Sequence, residues 1–365
     1  MTDMMIGGEK TDYENRSVSR WERIKPAAAY ILAAACLVWV FHDIPLRSLT
    51  ADLAGINWWW IVPAIAADVL SYIAQGLRWQ LLLVPVGRIN IIKTTQAIYA
   101  GLFLNEILPM RPGELARVFL VSRWLGTDIV STLPSLAVER LMDGIWLAVA
   151  IGISAIFVHE LPPELHTAAD VFGLVVIVLT LVFLLLVLRR GRAGYSEAPV
   201  AGGLRARIAH FLSRTAAGIR AIGRSRSVYL AFGGSFLHLL LQVLAFWLVM
   251  RACGLRAGSL PMTFWAGTMV FLIVHLGTAL PNAPANVGAY QFFTVLGLAL
   301  FEVEKAQAAS FSLIVFLLLT IPLWVLGFWA ISLSGTTMAS LREDIARLIG
   351  RKVSARNVVR KRESV

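Results

Sequence analysis

Two short proline motifs interrupt long apolar stretches of the sequence. The pattern Leu-Pro-x-x-Pro occurs at residues 108–112 and again at residues 280–284. Proline lacks the backbone N–H and clashes with the preceding turn, so a helix cannot run smoothly through either motif. Helices broken at corresponding places in two halves are typical of substrate sites in membrane transporters. The motifs therefore predict helices that stop and restart inside the membrane.

The composition is that of a protein with several membrane-spanning helices. Apolar residues make up 58% of the 365 residues and charged residues 15%, whereas soluble domains carry about 25% charged residues. The net charge of +11 indicates basic cytoplasmic loops, and no nucleic-acid partner is expected. Cys36 and Cys253 lie in or beside apolar spans, so neither a disulfide framework nor a metal site is indicated. No cofactor is expected.

The chain divides into a polar cytoplasmic arm (1–25), a membrane domain (26–334) and a basic cytoplasmic tail (335–365). Within the membrane domain, residues 189–227 carry nine arginines against one acid, Glu197. Apolar residues recur between these arginines at helical spacing. This pattern predicts a basic amphipathic helix that lies on an anionic leaflet.

The positions of the basic residues also predict the topology. Basic residues collect on cytoplasmic loops, so the arm, the 189–227 loop and the tail should all be cytoplasmic. This holds only if residues 94–122 and 262–300 each enter the membrane and return to the side from which they came. The prediction is an all-α polytopic membrane protein with six full transmembrane helices and two re-entrant helical hairpins. Residues 58–158 and 228–332 would then be inverted repeats.

Charged residues cluster around the first predicted hairpin. They are Arg111, Glu114 and Arg117 in or after the motif, Glu139, Arg140 and Asp143 on the following span, and Asp68 and Arg78 on the preceding span. Charges at membrane depth are costly and pair with one another or serve a function. In one interpretation these pairs staple the hairpin to its flanking helices. In the other, the arginines bind a lipid phosphate and the acids orient them or meet a cationic headgroup.

Several of these residues carry more specific expectations. Arg111 and Arg117 are the predicted ligand contacts, because the broken backbone around them also frees N–H groups at a helix start. Arg78 is predicted to snorkel to the cytoplasmic interface, and Asp68 to face the protein interior. The candidate site residues without charge are Asn105 and Gly113 in the first hairpin, and Asn282, Asn286, Gly288 and Gln291 in the second hairpin. No phosphate-binding glycine loop, metal-ligand helix or nucleophile elbow occurs, so catalysis is not expected.

Four motifs in order carry a resemblance to a known family. They are Arg78-Trp79-Gln80-Leu81-Leu82, Gly101-Leu102-Phe103-Leu104-Asn105, Pro109-x-Arg111-x-Gly113-Glu114-x-x-Arg117 and Glu139-Arg140-Leu141-x-Asp143-Gly144. With these motifs the chain resembles the lysylphosphatidylglycerol synthase transmembrane, or flippase-like, family over roughly residues 25–335. The resemblance implies a multi-pass bacterial inner-membrane protein that handles a lipid. An anionic or aminoacylated phospholipid is the implied partner.

The sequence departs from the family in two respects. The full synthases carry a soluble aminoacyltransferase domain that has no counterpart here, so lipid aminoacylation is not expected. The family often has a glutamate three residues after the glycine of the second hairpin, where this chain has Gln291, which leaves a cationic headgroup less supported.

The leading hypothesis is a flippase-like or scramblase-like lipid translocase. One alternative is an integral-membrane lipid-modifying enzyme that uses Glu114, Glu139 or Asp143 as acid or base. The other is a non-catalytic partner of a lipid-synthesis enzyme.

Overall fold

A computed structural model describes residues 20–45, 52–108, 112–157, 163–188, 204–257, 260–279 and 283–335. Most of the predicted cytoplasmic arm, part of the basic loop and almost all of the tail lie outside these ranges. So do two predicted site residues, Arg111 and Asn282. The domain boundaries at the two ends of the chain therefore stay predictions.

The described chain is almost entirely helical, as predicted. Its helices are α1 (Arg20–Phe41), α2 (Trp58–Leu83), α3 (Ile91–Ile107), α4 (Gly113–Leu125), α5 (Ile129–Phe157), α6 (Pro163–Leu188), α7 (Leu204–Gly223), α8 (Ser227–Ala252), α9 (Phe264–Ala279), α10 (Ala289–Ala299) and α11 (Lys305–Ser332). Two-residue strands β1 (Arg256–Ala257) and β2 (Leu260–Pro261) pair antiparallel before α9. A 3₁₀ turn, Pro284–Asn286, precedes α10.

Four of the described helices, α2, α5, α8 and α11, are long and apolar enough to cross a membrane. Helices α1 and α6 contain 22 and 26 residues, with shorter apolar stretches at Tyr30–Phe41 and Asp170–Leu185 among the described residues. The prediction of a polytopic membrane protein is confirmed. The count of six full spans and the re-entrant hairpins remain predictions.

Each proline motif separates two short helices. Helix α3 ends at Ile107 and α4 begins at Gly113, while α9 ends at Ala279 and α10 begins at Ala289. We call α3 with α4 the first hairpin and α9 with α10 the second hairpin. The 3₁₀ turn of the second hairpin contacts α3. The break in the second hairpin therefore lies against the first hairpin.

Two groups of four helices follow the same order of lengths. Helices α2 to α5 contain 26, 17, 13 and 29 residues, and α8 to α11 contain 26, 16, 11 and 28. The leading helices α2 and α8 form the most extensive helix pair. Helix α11 packs on α3, and α5 packs on α9. The last helix of each group thus packs on the first short helix of the other group.

The helices of the first hairpin touch through glycine. A Cβ on Gly113 would lie 1.8 Å from the carbonyl oxygen of Gly101, and a Cβ on Gly101 would lie 2.6 Å from the carbonyl oxygen of Gly113. The Oδ1 of Asn105 accepts a hydrogen bond of 2.7 Å from the N–H of Gly113. The hairpin therefore depends on backbone-to-backbone contact, with one amide that satisfies an N–H at the start of α4.

The basic loop forms a helix, as its spacing predicts. In the C-terminal half of α7, Ala217 and Ile222 are buried, and Arg214 lies 3.0 Å from Asp128. A Cβ on Gly218 would lie 2.5 Å from the Pro134 ring on α5. One face of this half of α7 therefore packs on the protein, and the predicted contact with a leaflet stays a prediction.

We expect Gly113→Ala to destabilise the protein by about 1–3 kcal/mol, because the added methyl group overlaps the α3 backbone. Gly152→Ala is the matched control, since a Cβ there meets nothing within 4 Å on α5 and alanine favours a helix. Thermal unfolding of the purified variants in detergent measures both effects. Equal stability of the two variants would contradict the backbone contact.

Candidate functional site

A cavity of about 340 Å³ lies between the two hairpins. The group of helices α2 to α5 supplies its charged wall, which includes Asp68, Glu106, Glu114, Arg117 and Arg140. The group α9 to α11 supplies a wall without acids, lysines or arginines, in which the apolar Phe271, Val274, Phe316, Leu319 and Leu323 alternate with the polar His275, Thr278, Asn286, Tyr290 and Thr320. The cavity therefore has two chemically different sides.

Glu139 on α5 is the centre of a buried ion network beside this cavity. Its side chain is fully buried and pairs with Arg117 on α4 through two contacts of 2.8 and 3.2 Å. It also accepts hydrogen bonds from Arg78 at 2.5 Å and from Gln75 at 3.1 Å, both on α2. One carboxylate thus ties together three helices. An unpaired charge at this position would be costly.

The prediction that Arg78 snorkels to an interface is wrong. Its side chain is fully buried, pairs with Glu139 and Asp143, and donates a hydrogen bond of 3.2 Å to Ser235 on α8. Gly234 makes room for it, since a Cβ there would lie 3.3 Å from the Arg78 Cβ. The acidic partners are 61 and 65 residues away in the sequence, which is why the helix pattern of α2 did not reveal them.

Arg117 is also held by the protein. Its guanidinium group lies 4.9 Å from the ring centre of Trp79, in addition to its paired contacts with Glu139. The Trp79 ring donates in turn to Ser135 Oγ at 2.9 Å. Although Arg117 lines the cavity, this geometry favours the stapling interpretation. Its predicted role as a ligand contact is untested.

The pair formed by Glu114 and Arg140 is the accessible part of the charged cluster. Their side chains are 44% and 49% exposed, lie 2.8 Å apart and both line the cavity. Arg140 also lies 3.4 Å from Asp143, one turn along α5. A ligand in the cavity can reach this pair without breaking the buried network.

Asp68 faces the protein interior, as predicted. It lines the cavity and only 4% of its surface is exposed. Its Oδ2 atom is buried without a hydrogen-bond partner. Asp68 therefore differs from the other acids of α2 to α5, which pair with arginines or lie nearer the surface.

Of the predicted site residues in the second hairpin that the structure describes, Asn286 lines the cavity, whereas Gly288 and Gln291 do not. Asn286 lines the cavity, with a left-handed φ of 55° that asparagine tolerates. Gly288 has a φ of 85°, and a Cβ there would lie 2.4 Å from the Ala33 carbonyl oxygen on α1. The Oε1 of Gln291 is buried and accepts the Gly288 N–H at 2.8 Å. Gly288 and Gln291 thus shape the start of α10 and are not among the residues that line the cavity.

Other cavity residues were not selected from the sequence. Gln75 and Tyr72 share a helix face with Asp68, and Glu106 is an acid just before the first motif. The helical spacing and the position beside the motif were therefore visible in the sequence. Gln242 and Tyr290 lie in apolar runs and carry no such signal. Among the described residues, no group of three or more His, Cys, Asp or Glu side chains is placed to hold a metal ion.

Residues 27–327 match the family model described as the lysylphosphatidylglycerol synthase TM region. The match begins within α1 and ends within α11, so it includes both hairpins and every residue of the charged cluster. A search of curated protein sequences finds no match.

We expect Glu139→Gln to destabilise the protein by about 3–5 kcal/mol, because two buried arginines lose their shared carboxylate. Glu114→Gln should cost about 0–1 kcal/mol, since that pair is exposed. The free energy of unfolding of both variants can be measured by denaturant titration in mixed micelles. Equal losses would show that Glu139 does not organise the network.

Proposed function

The chain belongs to the lysylphosphatidylglycerol synthase transmembrane family, and we propose that it is a flippase-like or scramblase-like lipid translocase. In this proposal, a phospholipid or related polar lipid moves between the leaflets through the cavity between the two hairpins. The membrane is the bacterial inner membrane, and both termini are cytoplasmic. Glu139 and Asp143 are committed to ion pairs with Arg78, so the proposal includes no catalytic step.

The observation that carries this proposal is the division of the cavity into two sides. A lipid has a polar headgroup and apolar chains, which need different surroundings as they cross the membrane. The wall from α2 to α5 offers charged and amide groups to the headgroup. The wall from α9 to α11 offers Phe316, Leu319 and Leu323 to the chains.

The charges of the cavity favour a headgroup that carries both signs. Arg140 can exchange Glu114 for a lipid phosphate, because arginine binds phosphate through paired hydrogen bonds. The acids Asp68, Glu106 and Glu114 line the same space, while Arg117 is already paired with Glu139. An aminoacylated phospholipid therefore matches the wall better than a purely anionic lipid. An enzyme that synthesises this lipid is the proposed partner.

Contacts among the helix ends support six full spans with two re-entrant hairpins. The predicted topology places residues 42–57, 253–263 and 300–304 outside. Three contacts join helix ends from this side: Asn57 N–H to the Ala252 carbonyl at 2.9 Å, Phe157 stacked 4.6 Å from Trp265, and Lys305 Nζ 3.4 Å from Asp43.

Contacts at the cytoplasmic side also join segments that the predicted topology places on the same side of the membrane. Three of them join residues that the topology places inside: Arg214 with Asp128 at 3.0 Å, Arg224 with the Val187 carbonyl at 3.2 Å, and Ser227 with the Leu81 carbonyl at 2.8 Å. A full crossing by α3 would reverse the side of every later segment. The basic loop would then lie outside.

The depth of the first hairpin also supports a re-entrant path. On α3, Gln96 donates to the Ala330 carbonyl of α11 at 2.9 Å, and Glu106 lies 3.5 Å from the Trp324 ring nitrogen. Trp324 is eight residues before the end of α11, or about 12 Å at 1.5 Å per residue. The hairpin thus reaches only part of the way across the ~30 Å hydrocarbon core. The matched helix lengths of the two groups support the inverted repeat.

Cysteine labelling tests the topology. We expect Arg88→Cys and Asp128→Cys, which flank the first hairpin, to react from the cytoplasmic side only. Arg256→Cys and Glu304→Cys, which flank the second hairpin, should react from the outside only. A membrane-impermeant maleimide applied to intact cells and inverted vesicles reads out both pairs, with Cys36 and Cys253 replaced by serine. Opposite sides for the two members of either pair would rule out a re-entrant hairpin.

Reconstitution tests the transport. We expect vesicles that contain the protein to exchange a fluorescent aminoacylated phosphatidylglycerol between leaflets. Arg140→Gln should raise the lipid concentration for half-maximal rate by about tenfold or more, since a hydrogen bond to a charged group contributes about 1.5–3 kcal/mol. Arg123→Gln, on α4 outside the cavity lining, should behave as wild type. The absence of exchange across anionic and aminoacylated lipids would refute the proposal.

A further inference from the structure

Among the residues that the structure describes, Asp68 is buried on α2 without a charged partner. It follows Trp58, the first residue of α2, by ten residues, or about 15 Å along the helix axis. That is half of the ~30 Å hydrocarbon core. In the described part of the chain, no arginine, lysine or histidine lies within ion-pair distance of its carboxylate. The Oδ2 atom also lacks a hydrogen-bond partner.

Three tyrosines interact with this carboxylate. Tyr72, Tyr99 and Tyr290 all interact electrostatically with Asp68, and they come from α2, α3 and α10. The rings of Tyr72 and Tyr99 lie edge to face, 5.5 Å between centres. The hydroxyl of Tyr99 is itself buried without a hydrogen-bond partner. Two unsatisfied polar groups from neighbouring helices therefore share this region.

The remaining charged groups around the cavity do not neutralise Asp68. On α3 and α4 these are Glu106, Glu114 and Arg117, on α5 Arg140, and on α9 His275. Both arginines are engaged by acids of the cluster. On α8, His238 uses its Nδ1 in a 2.8 Å hydrogen bond with the Ser71 carbonyl. Helix α11 contributes no titratable group to the cavity lining.

An ionised carboxylate without a partner at this depth is costly, whereas a protonated one is neutral and can donate a hydrogen bond. A positively charged group that enters the cavity can neutralise the ionised Asp68 carboxylate in place of the proton. We propose that Asp68 is a proton-binding site that exchanges its proton for the amino group of a lipid headgroup. One positive charge replaces another, and the released proton passes to water. This inference rests on the proposed lipid transport.

The exchange predicts how transport responds to a pH gradient. The proton leaves Asp68 on the side where the lipid enters and is replaced from the side where the lipid leaves. Movement of an amino-containing lipid to the outer leaflet is therefore accompanied by inward proton movement. A medium that is acidic outside and alkaline inside should speed outward movement, and the reversed gradient should slow it.

The test uses proteoliposomes with a fluorescent aminoacylated phosphatidylglycerol and gradients of both signs. We expect the wild-type rate to follow the gradient, and the rate of Asp68→Asn to be independent of it. Asp128→Asn, an exposed acid outside the cavity, should keep the gradient response. Lipid exchange that ignores the gradient in the wild type, or a gradient response that survives in Asp68→Asn, would overturn the inference.

A second measurement does not depend on transport. Infrared difference spectra between acidic and alkaline buffers should contain a carboxylic-acid C=O component that the wild type and Asp128→Asn share and that is missing from Asp68→Asn, whereas the bands of the other acids are common to all three. If that band is present but no lipid exchange occurs, the transport proposal and its coupling fail while the proton site stands. If the band does not depend on Asp68, the proton site itself is refuted. Should Asp68→Asn fail to fold, Asp68→Glu should retain the band at a shifted frequency, and an unchanged band would count against the assignment.

Discussion

The pairing of Glu139 with Arg78 and Arg117 is the interaction on which the first hairpin depends. Helix α4 is only 13 residues long, and a helix of that length is marginal by itself. Its Arg117 pairs with Glu139 on α5, and Arg78 on α2 pairs with the same carboxylate, which is completely withdrawn from solvent. A buried ion pair is weak evidence for stability but strong evidence for a fixed arrangement. Here it fixes the position of α4 beside the cavity.

The two hairpins have different roles, although their helices have similar lengths. The first hairpin contributes charged groups to the cavity and is held by ion pairs and by contact between glycine backbones. The second contributes no acid, lysine or arginine to the cavity lining. Its Asn286 lies in the cavity wall, whereas Gln291 serves a helix start. This difference gives the cavity one side with arginines and acids and one side without them. The arrangement suits an amphipathic substrate.

The fold class was accessible from the sequence because proline motifs, apolar runs and basic loops are local signals. The site was accessible only in part. The residues of the charged cluster were found, yet their partners were not, since Arg78 and Glu139 are 61 residues apart and no periodicity links them. Arg78 was therefore assigned to an interface although it is fully buried. Gly288 and Gln291 were grouped with the site because they follow the motif, whereas local backbone geometry accounts for both.

The glycine contact between α3 and α4 limits how the cavity can open. With the Gly113 backbone seated on the Gly101 carbonyl, no layer of side chains separates the two helices, and sliding one past the other would break the close packing. The first hairpin must then move as a rigid body. Its hinges belong at its two flanks, and Gly126, with a left-handed φ of 65° at the end of α4, occupies one of them. A tilt on such a hinge would carry Arg117 away from Glu139 on α5, so opening the cavity in this way would break one ion pair of the buried network.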